Sequence, residues 1–399
     1  MRFYSMREKQ VERFRGHLIV RSDSIRTLVA VVVLFFFANS LTGSFLPIYF
    51  RDQGLNLAQI CAIMLLTFSI LGLLPIALVK TIRSFEKIVT VGIFTTMLFF
   101  VALVFVKSPV ILGLAYGVSL ATFYPSFNLL VFRLCESDTR ARTISLYSSI
   151  IPSLTGMVGP ATGGLIIESF GFQWLFATSI IIYLVTFLLS TTLRYRTEQV
   201  AFAIPRNRIF PIFFATFIIG GLAETYWIAY PLFVYGISGT VLNMGLVLTA
   251  ASILIATVTF SVSWISDIKK TRVEFAVVGT VLSAIWYFGI GFASSMTQIV
   301  VLSLISGFAN AFRISWSAHL ADSFGRQCYP SILVMTETGL MIGRISNLMP
   351  TYLLISENSY TIYFMIFGIV TLLMIPLYIA SKKVQKPKET ELNVISTNA

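Results

Sequence analysis

Four ionisable side chains, Glu224, Arg313, Glu337 and Arg344, stand inside strongly apolar stretches of this 399-residue chain. At the centre of a bilayer each would cost about 2.5 kcal/mol or more, so each must face a partner or water. Counted at helical rise, Glu224 falls roughly 22 Å and Arg344 roughly 20 Å from one membrane face. Arg313, on a helix of opposite direction, falls roughly 8–10 Å from that face, level with Glu337. Glu337 and Arg344 are seven apart and share a helix face. These depths predict two ion pairs, Glu224–Arg344 and Arg313–Glu337. A carboxyl such as Glu224 or Glu337 can carry a proton, because burial and a neighbouring guanidinium pull its protonation in opposite directions. A guanidinium presents a planar fork that matches carboxylate and phosphate, so Arg313 or Arg344 could hold an anionic ligand. The same pairs could also serve purely as bridges that specify packing.

The elements that must position these groups are membrane helices. Hydrophobic residues make up 56% of the chain and charged residues only 12%, against about 25% charged in an ordinary soluble domain. The apolar runs are about 20 residues long, which is what a hydrocarbon core of about 30 Å requires of a helix. Their continuity excludes an outer-membrane barrel, whose strands alternate polar and apolar over about 10 residues. The net charge of +12 does not call for a nucleic-acid partner, because the basic residues lie in loops flanking the apolar runs. Three cysteines (Cys61, Cys135, Cys328) without paired spacing and two histidines (His17, His319) support neither disulfide, metal nor cofactor.

Twelve spans are predicted: 27–49, 57–79, 87–106, 109–132, 143–167, 174–193, 209–235, 243–265, 274–293, 297–320, 331–354 and 360–380. With the N-terminus inside, 25 of the 29 Lys and Arg fall on the cytoplasmic side and two, Arg51 and Lys107, outside. The positive-inside rule then places both termini in the cytoplasm of an inner or plasma membrane protein. The first 26 residues, polar and basic, lack the apolar core of a cleavable signal. The chain also repeats itself. Leu46-Pro47-Ile48-Tyr49-Phe50 is echoed by Tyr230-Pro231-Leu232-Phe233-Val234, Gly54 by Gly239, and Glu136 with Arg140 by Asp322 with Arg326. The near-constant offset implies two six-helix halves, 27–193 and 209–380, with a site between them at mid-membrane. A cytoplasmic segment (1–26), a linker (194–208) and a polar tail (381–399) complete the expected organisation.

Gly159-Pro160-Ala161-Thr162-Gly163-Gly164 in span 5, followed by Gly171-Phe172-Gln173-Trp174-Leu175-Phe176, resembles the major facilitator superfamily. In that family the GPxxGG element is called the antiporter motif in drug/proton exchangers. Tyr147 and Thr155 stand where two upstream glycines of the full motif would be. Without any family, glycines let helices approach closely and proline bends them, so Gly159, Pro160, Gly163 and Gly164 are equally a packing device. The family's loop signature survives partly as Ser263 to Arg272, keeping Asp267 and Arg272, and more faintly as Pro75 to Ser84, keeping Arg83. The resemblance implies a cytoplasmic latch of Asp267, Arg272 and Asp322, with Glu136 and Arg83 as a partial counterpart.

The implied fold is an all-α membrane protein of twelve helices in two pseudo-symmetric bundles. The implied function is alternating-access transport of a small molecule by a monomer in the lipid bilayer, coupled to a proton or another ion and needing no cofactor. Helices 7, 10 and 11 contribute to the central cavity of this family, which makes Glu224 and Glu337 candidates for proton coupling and Arg313 and Arg344 for substrate. Asn39 in span 1, Tyr124 and Asn128 on one face of span 4, and Trp227 are further cavity candidates. Export of amphipathic compounds is favoured by GPxxGG and aromatic content, and uptake or exchange of an anionic metabolite by the arginines. A membrane enzyme would gather acids, bases or metal ligands at one face, and no such cluster is visible. A channel lacks its pore loop, a primary pump its Gly-x-x-x-x-Gly-Lys loop, and a receptor or scaffold would not need charges at two depths.

Overall fold

The computed structural model describes residues 25–82, 87–135, 140–193, 202, 204–205, 207–269, 271–324 and 328–385. Within them the chain forms twelve long helical segments in sequence. They are α1 (Arg26–Asp52), α2 (Leu57–Thr81), α3 (Ile88–Phe105), α4 (Pro109–Leu134), α5 (Arg140–Phe170) and α6 (Phe172–Thr191). The second set is α7 (Phe210–Ser238), α8 (Val241–Lys269), α9 (Arg272–Gly291), α10 (Met296–Ser323), α11 (Tyr329–Ser356) and α12 (Tyr360–Val384). Ten of these are long and apolar enough to cross a membrane. Of the other two, α8 is as long and begins with the apolar stretch Val241–Ile253, and α11 is as long but carries both Glu337 and Arg344. Several helices outrun their expected spans. The last continues as helix to Gln385, past the expected boundary at 380, and Lys382 there pairs with Glu274 at the start of α9. Most of the basic N-terminal segment and of the expected linker and tail lies outside the described residues.

The first six helices pack chiefly on one another, α4 against α2 and α3, and α6 against α1 and α3. The last six do the same, α10 against α8 and α9, α11 against α7, and α12 against α9. Two seams join the sets: α2 with α11, and α5 with α8. The α5–α8 seam is built of hydroxyls and small residues. Ser145 bonds Ser263, Ser149 lies 3.4 Å from Thr259, and the Ala161 amide donates to Thr249 at 3.3 Å.

Among the described residues α1, α5, α7 and α12 are interrupted, α12 only by a turn at Leu373 before Pro376, and proline lies at or just after each break. A proline has no N–H for the carbonyl four residues back and its ring crowds that carbonyl. Pro47 follows a 3₁₀ turn at Gly43–Phe45 in α1, and Pro231 follows one at Thr225–Trp227 in α7. The two prolines are the repeat-related pair, so the halves share this irregularity. In α5, a π-helical turn at Leu146–Ile150 precedes Pro152, and the helix breaks again before Gly159-Pro160.

The GPxxGG residues fit α5 between α1 of its own half and α8 of the other. A Cβ on Gly159 would fall on Ser40, and one on Gly163 on the Leu41 carbonyl. One on Gly164 would lie 2.7 Å from the Val241 carbonyl oxygen and 2.8 Å from Leu242 Cα, both in α8. Opposite, Gly245 of α8 leaves room for the Pro160 carbonyl. Gly164→Val therefore forces α5 and α8 apart, and overpacking of this kind costs about 1–3 kcal/mol. A melt of the purified protein should show a clear loss for Gly164→Val and none for Gly236→Ala, whose Cβ meets nothing within 4 Å. Equal melting of the two variants would contradict the tight seam.

Candidate functional site: a charged cluster at a broken helix

The break in α7 has an identifiable set of partners. The helix ends at Leu222, Ala223 and Glu224 leave helical geometry, and it resumes at Ala229. Two carbonyls freed by the unwinding are recaptured by side chains. Asn347 of α11 donates its Nδ2 to the Leu222 oxygen at 2.5 Å, and the Tyr287 hydroxyl of α9 donates to the Ala223 oxygen. The Asn347 amide oxygen in turn accepts from Thr351 at 2.6 Å and Tyr363 at 2.9 Å. Irregular backbone at membrane depth is tolerated only with such partners or against a cavity. Close approach of α11 makes this possible, because Gly343 sits directly on the α7 backbone at Ile218 and Leu222.

At this break Glu224 meets Arg344. The guanidinium grips the carboxylate through both edges, Nε to Oε2 at 2.6 Å and Nη2 to Oε1 at 3.1 Å. Its remaining nitrogen, Nη1, reaches Glu337 Oε2 at 3.3 Å. Trp227 Nε1 adds a hydrogen bond to Glu224 Oε2 at 2.7 Å. The side chains are 7%, 15% and 8% exposed for Arg344, Glu224 and Glu337. The guanidinium also lies over Trp227 at 5.6 Å and over Phe68 of α2 at 5.8 Å, so the cluster leans on the other half. Phe68 and Trp227 meet edge to face at 5.3 Å.

The Glu224–Arg344 pair stands as the depths predicted. The Arg313–Glu337 pair does not form. Glu337 is seven residues from Arg344 on the same helix and takes the free nitrogen of that fork. Depth alone could not choose between two arginines, because it leaves the azimuth of α10 open. Arg313 instead lines a cavity, and no ion pair or hydrogen bond joins its side chain to any described residue.

The cavity has two lobes meeting at Ser44, Pro152, Tyr226 and Ser252. One, of about 680 Å³, lies mostly against α7, α10 and α12 and is lined by Arg313, Asn310, Trp316, Tyr378, Glu224 and a row of serines from α5. The other, of about 580 Å³, faces the first half, with Asn39, Tyr116, Tyr124, Asn128, Trp227, Tyr230, Glu337 and Arg344 around it. All the expected cavity residues therefore border one lobe or the other. Sequence reasoning missed Tyr226, which is 53% exposed between the lobes, along with Asn347 and Tyr287, which close the break. The repeated proline was the available signal for a break, and the polar Asn347 and Thr351 one turn apart on α11 were the signal for its partner.

At the end of the bundle that carries the basic loops, Asp322 of α10 binds Arg140 of α5 at 2.5 Å and Arg272 of α9 at 3.1 Å. Arg272 also donates to Ser266 at 3.1 Å, which accepts from Ser315 at 3.1 Å. Two members of the expected latch meet here, and Arg140, overlooked as a partner, ties them to the first half. The Asp267 side chain, Arg83 and Glu136 lie outside the described residues. Asp322 is one-third exposed, so its pairs are worth up to about 1 kcal/mol, roughly fivefold in an equilibrium. In a protein lacking Cys61, Cys135 and Cys328, Asp322→Asn should raise the alkylation rate of a cysteine placed at cavity residue Ser149 by about that factor. An unchanged rate would show that the pairs do not hold this end closed.

The sequence matches the Major Facilitator Superfamily over residues 28–205 and 212–396. An uncharacterized protein in the sodM 3′ region of Geobacillus stearothermophilus is 28% identical over 144 residues, which are 33% of this chain and 64% of that protein. The chain thus spans about two-thirds or less of that relative's length. The human organic anion transporter MFSD10 (TETRAN) superposes with a TM-score of 0.66 over 88% of this chain and 99% of its own, at 11% identity. At that identity the likeness shows the fold. With the family matched across both sets of six helices, this multi-pass membrane protein belongs to the major facilitator superfamily.

Proposed function

We propose that the chain is a proton-coupled carrier of small amphipathic compounds, working by alternating access between its two sets of six helices. The observation that carries this reading is the sharing of one guanidinium by two carboxylates beside the cavity. With both carboxylates ionised the cluster has one negative charge in excess, and with one proton bound it is neutral. A low-dielectric site strongly favours the neutral total. Glu224 and Glu337 are the proton-carrying pair in this account, and Arg344 is their counter-charge. Because Arg344 commits its fork to Glu224, its use as a direct substrate ligand is disfavoured.

The unwound segment of α7 gives the proton a mechanical consequence. Glu224 belongs to the break itself, and its partners Arg344 and Trp227 touch Phe68 of the opposite half. Loading or removing a proton changes the grip of α11 on this segment and so the balance between arrangements of the halves. Tyr124 and Trp227 offer apolar faces to a substrate body, while Asn39 and Asn128 offer hydrogen bonds. Resemblance of the GPxxGG element to the antiporter motif favours export. The concentration of Lys and Arg at one end of the bundle supports a cytoplasmic assignment for that end and for both termini, in a plasma or inner membrane. The Asp322 cluster then serves as a gate on the cytoplasmic side.

Proteoliposomes under an imposed pH gradient test this directly. Lipophilic cations, sugars and small organic anions are added in turn to wild type and to Glu224→Gln. A ligand that moves protons through the wild type should move at least tenfold fewer through Glu224→Gln. Undiminished ligand-driven proton flux in the variant would remove Glu224 from the coupling path.

A further inference from the structure

Arg313 is the one cavity-lining arginine with no carboxylate partner among the described residues. Its polar neighbours at the lobe are hydroxyls and an amide, groups that can donate, and not carboxylates in search of a cation. Asn310 stands one turn earlier on the same helix, and Ser148, Ser149 and Ser153 of α5 line the same lobe. Glu224, the carboxylate that shares this lobe, already has both oxygens engaged by Arg344 and one by Trp227. Close packing fixes the arginine's stem, for a Cβ on Gly279 of α9 would lie 2.9 Å from Arg313 Cγ. A positioned guanidinium among hydroxyl and amide donors is the chemistry that recognises an oxyanion.

We infer that the Arg313 lobe binds the acidic group of the substrate, so that the compounds carried are amphipathic organic acids: a carboxylate, sulfonate or phosphate attached to an apolar or aromatic body. This rests on the reading of the cavity as the transport site and names the substrate class for it. The second lobe supports the orientation. Its wall carries Tyr116, Tyr124, Tyr226 and Trp227, and its one arginine, Arg344, is already engaged by Glu337 of the same wall and by Glu224. An acidic group therefore finds no uncommitted cation in that lobe and is drawn to Arg313, while the aromatic wall accepts the body. Tyr226, exposed between the two lobes, spans the junction that such a molecule would cross.

The test is equilibrium binding to the purified protein at fixed pH, with no gradient. The probes are 1-naphthoate, naphthalene-2-sulfonate and the uncharged isostere 1-naphthalenemethanol. Wild type should bind both anions at least about tenfold more tightly than the alcohol, and Arg313→Gln should erase that preference while Arg313→Lys keeps part of it. In wild type alone, 1-naphthoate should protect Arg313 from phenylglyoxal, read by mass spectrometry of the modified peptide, so the inference is tested even if the glutamine variant misfolds. Equal binding of acid and alcohol, unchanged anion affinity in a folded Arg313→Gln, or modification of Arg313 undiminished by the probe would each overturn it. Because this assay contains no proton step, a failure of proton coupling in liposomes would leave its result standing.

Discussion

Arg344 lies at membrane depth with two carboxylates and a single positive charge to share between them. Burying an ion pair in a low-dielectric interior is expensive, and breaking one by removal of a partner costs about 3–5 kcal/mol. The surrounding structure is arranged to keep this cluster satisfied. Gly343 brings α11 onto the α7 backbone, the unwinding of α7 delivers Glu224 to the guanidinium, and Asn347 and Tyr287 recapture the carbonyls that unwinding frees. Trp227, itself part of the irregular turn, donates to Glu224 and shields Arg344 from above its ring. These features fit one another: a continuous α7 would bond the Leu222 and Ala223 carbonyls within the helix and leave Asn347 and Tyr287 without those acceptors.

The repeat shows what the second half adds to a common plan. Pro47 and Pro231 interrupt α1 and α7 at equivalent places, and Gly159 and Gly343 occupy equivalent positions on α5 and α11. In each half that glycine lets its helix settle onto the broken one, Gly159 on Ser40 and Gly343 on Ile218 and Leu222. The residue after the glycine is Pro160 in one half and Arg344 in the other. Across from them, Ser40 stands where Glu224 stands in the second copy. The first half thus keeps the geometry with uncharged residues, while the second half places ionisable groups on it. The first half uses its own version for packing, with Pro160, Gly163 and Gly164 fitted between α1 and α8.

Much of this was legible in the sequence, and the unread part has physical reasons. Apolar run length and loop charge specify the membrane helices, and a 1.5 Å rise was enough to set Glu224 level with Arg344. Rise gives depth but not azimuth, which is why Arg313 was matched with Glu337 when the helix of Glu337 already supplied an arginine one face-turn away. The break in α7 was encoded by Pro231, four residues past Trp227, but a proline in a membrane helix signals a kink as readily as an unwound turn. Its recapture by Asn347 depends on the packing of two helices more than a hundred residues apart in sequence, which no local pattern contains. The role of Arg140 at Asp322 was hidden for the same reason. Repeat logic compared the two loops with each other, whereas the ion pair runs between them.

Infrared difference spectroscopy of the purified protein between alkaline and acidic buffer tests the account most directly, because it sees the carboxyl proton itself. Acidification should produce the carbonyl band of a neutral carboxylic acid in an apolar site, and Glu337→Gln together with Glu224→Gln should remove it. A spectrum in which no such band arises from these two residues across the range where the protein stays folded would contradict the shared-proton cluster, and with it the proposed coupling.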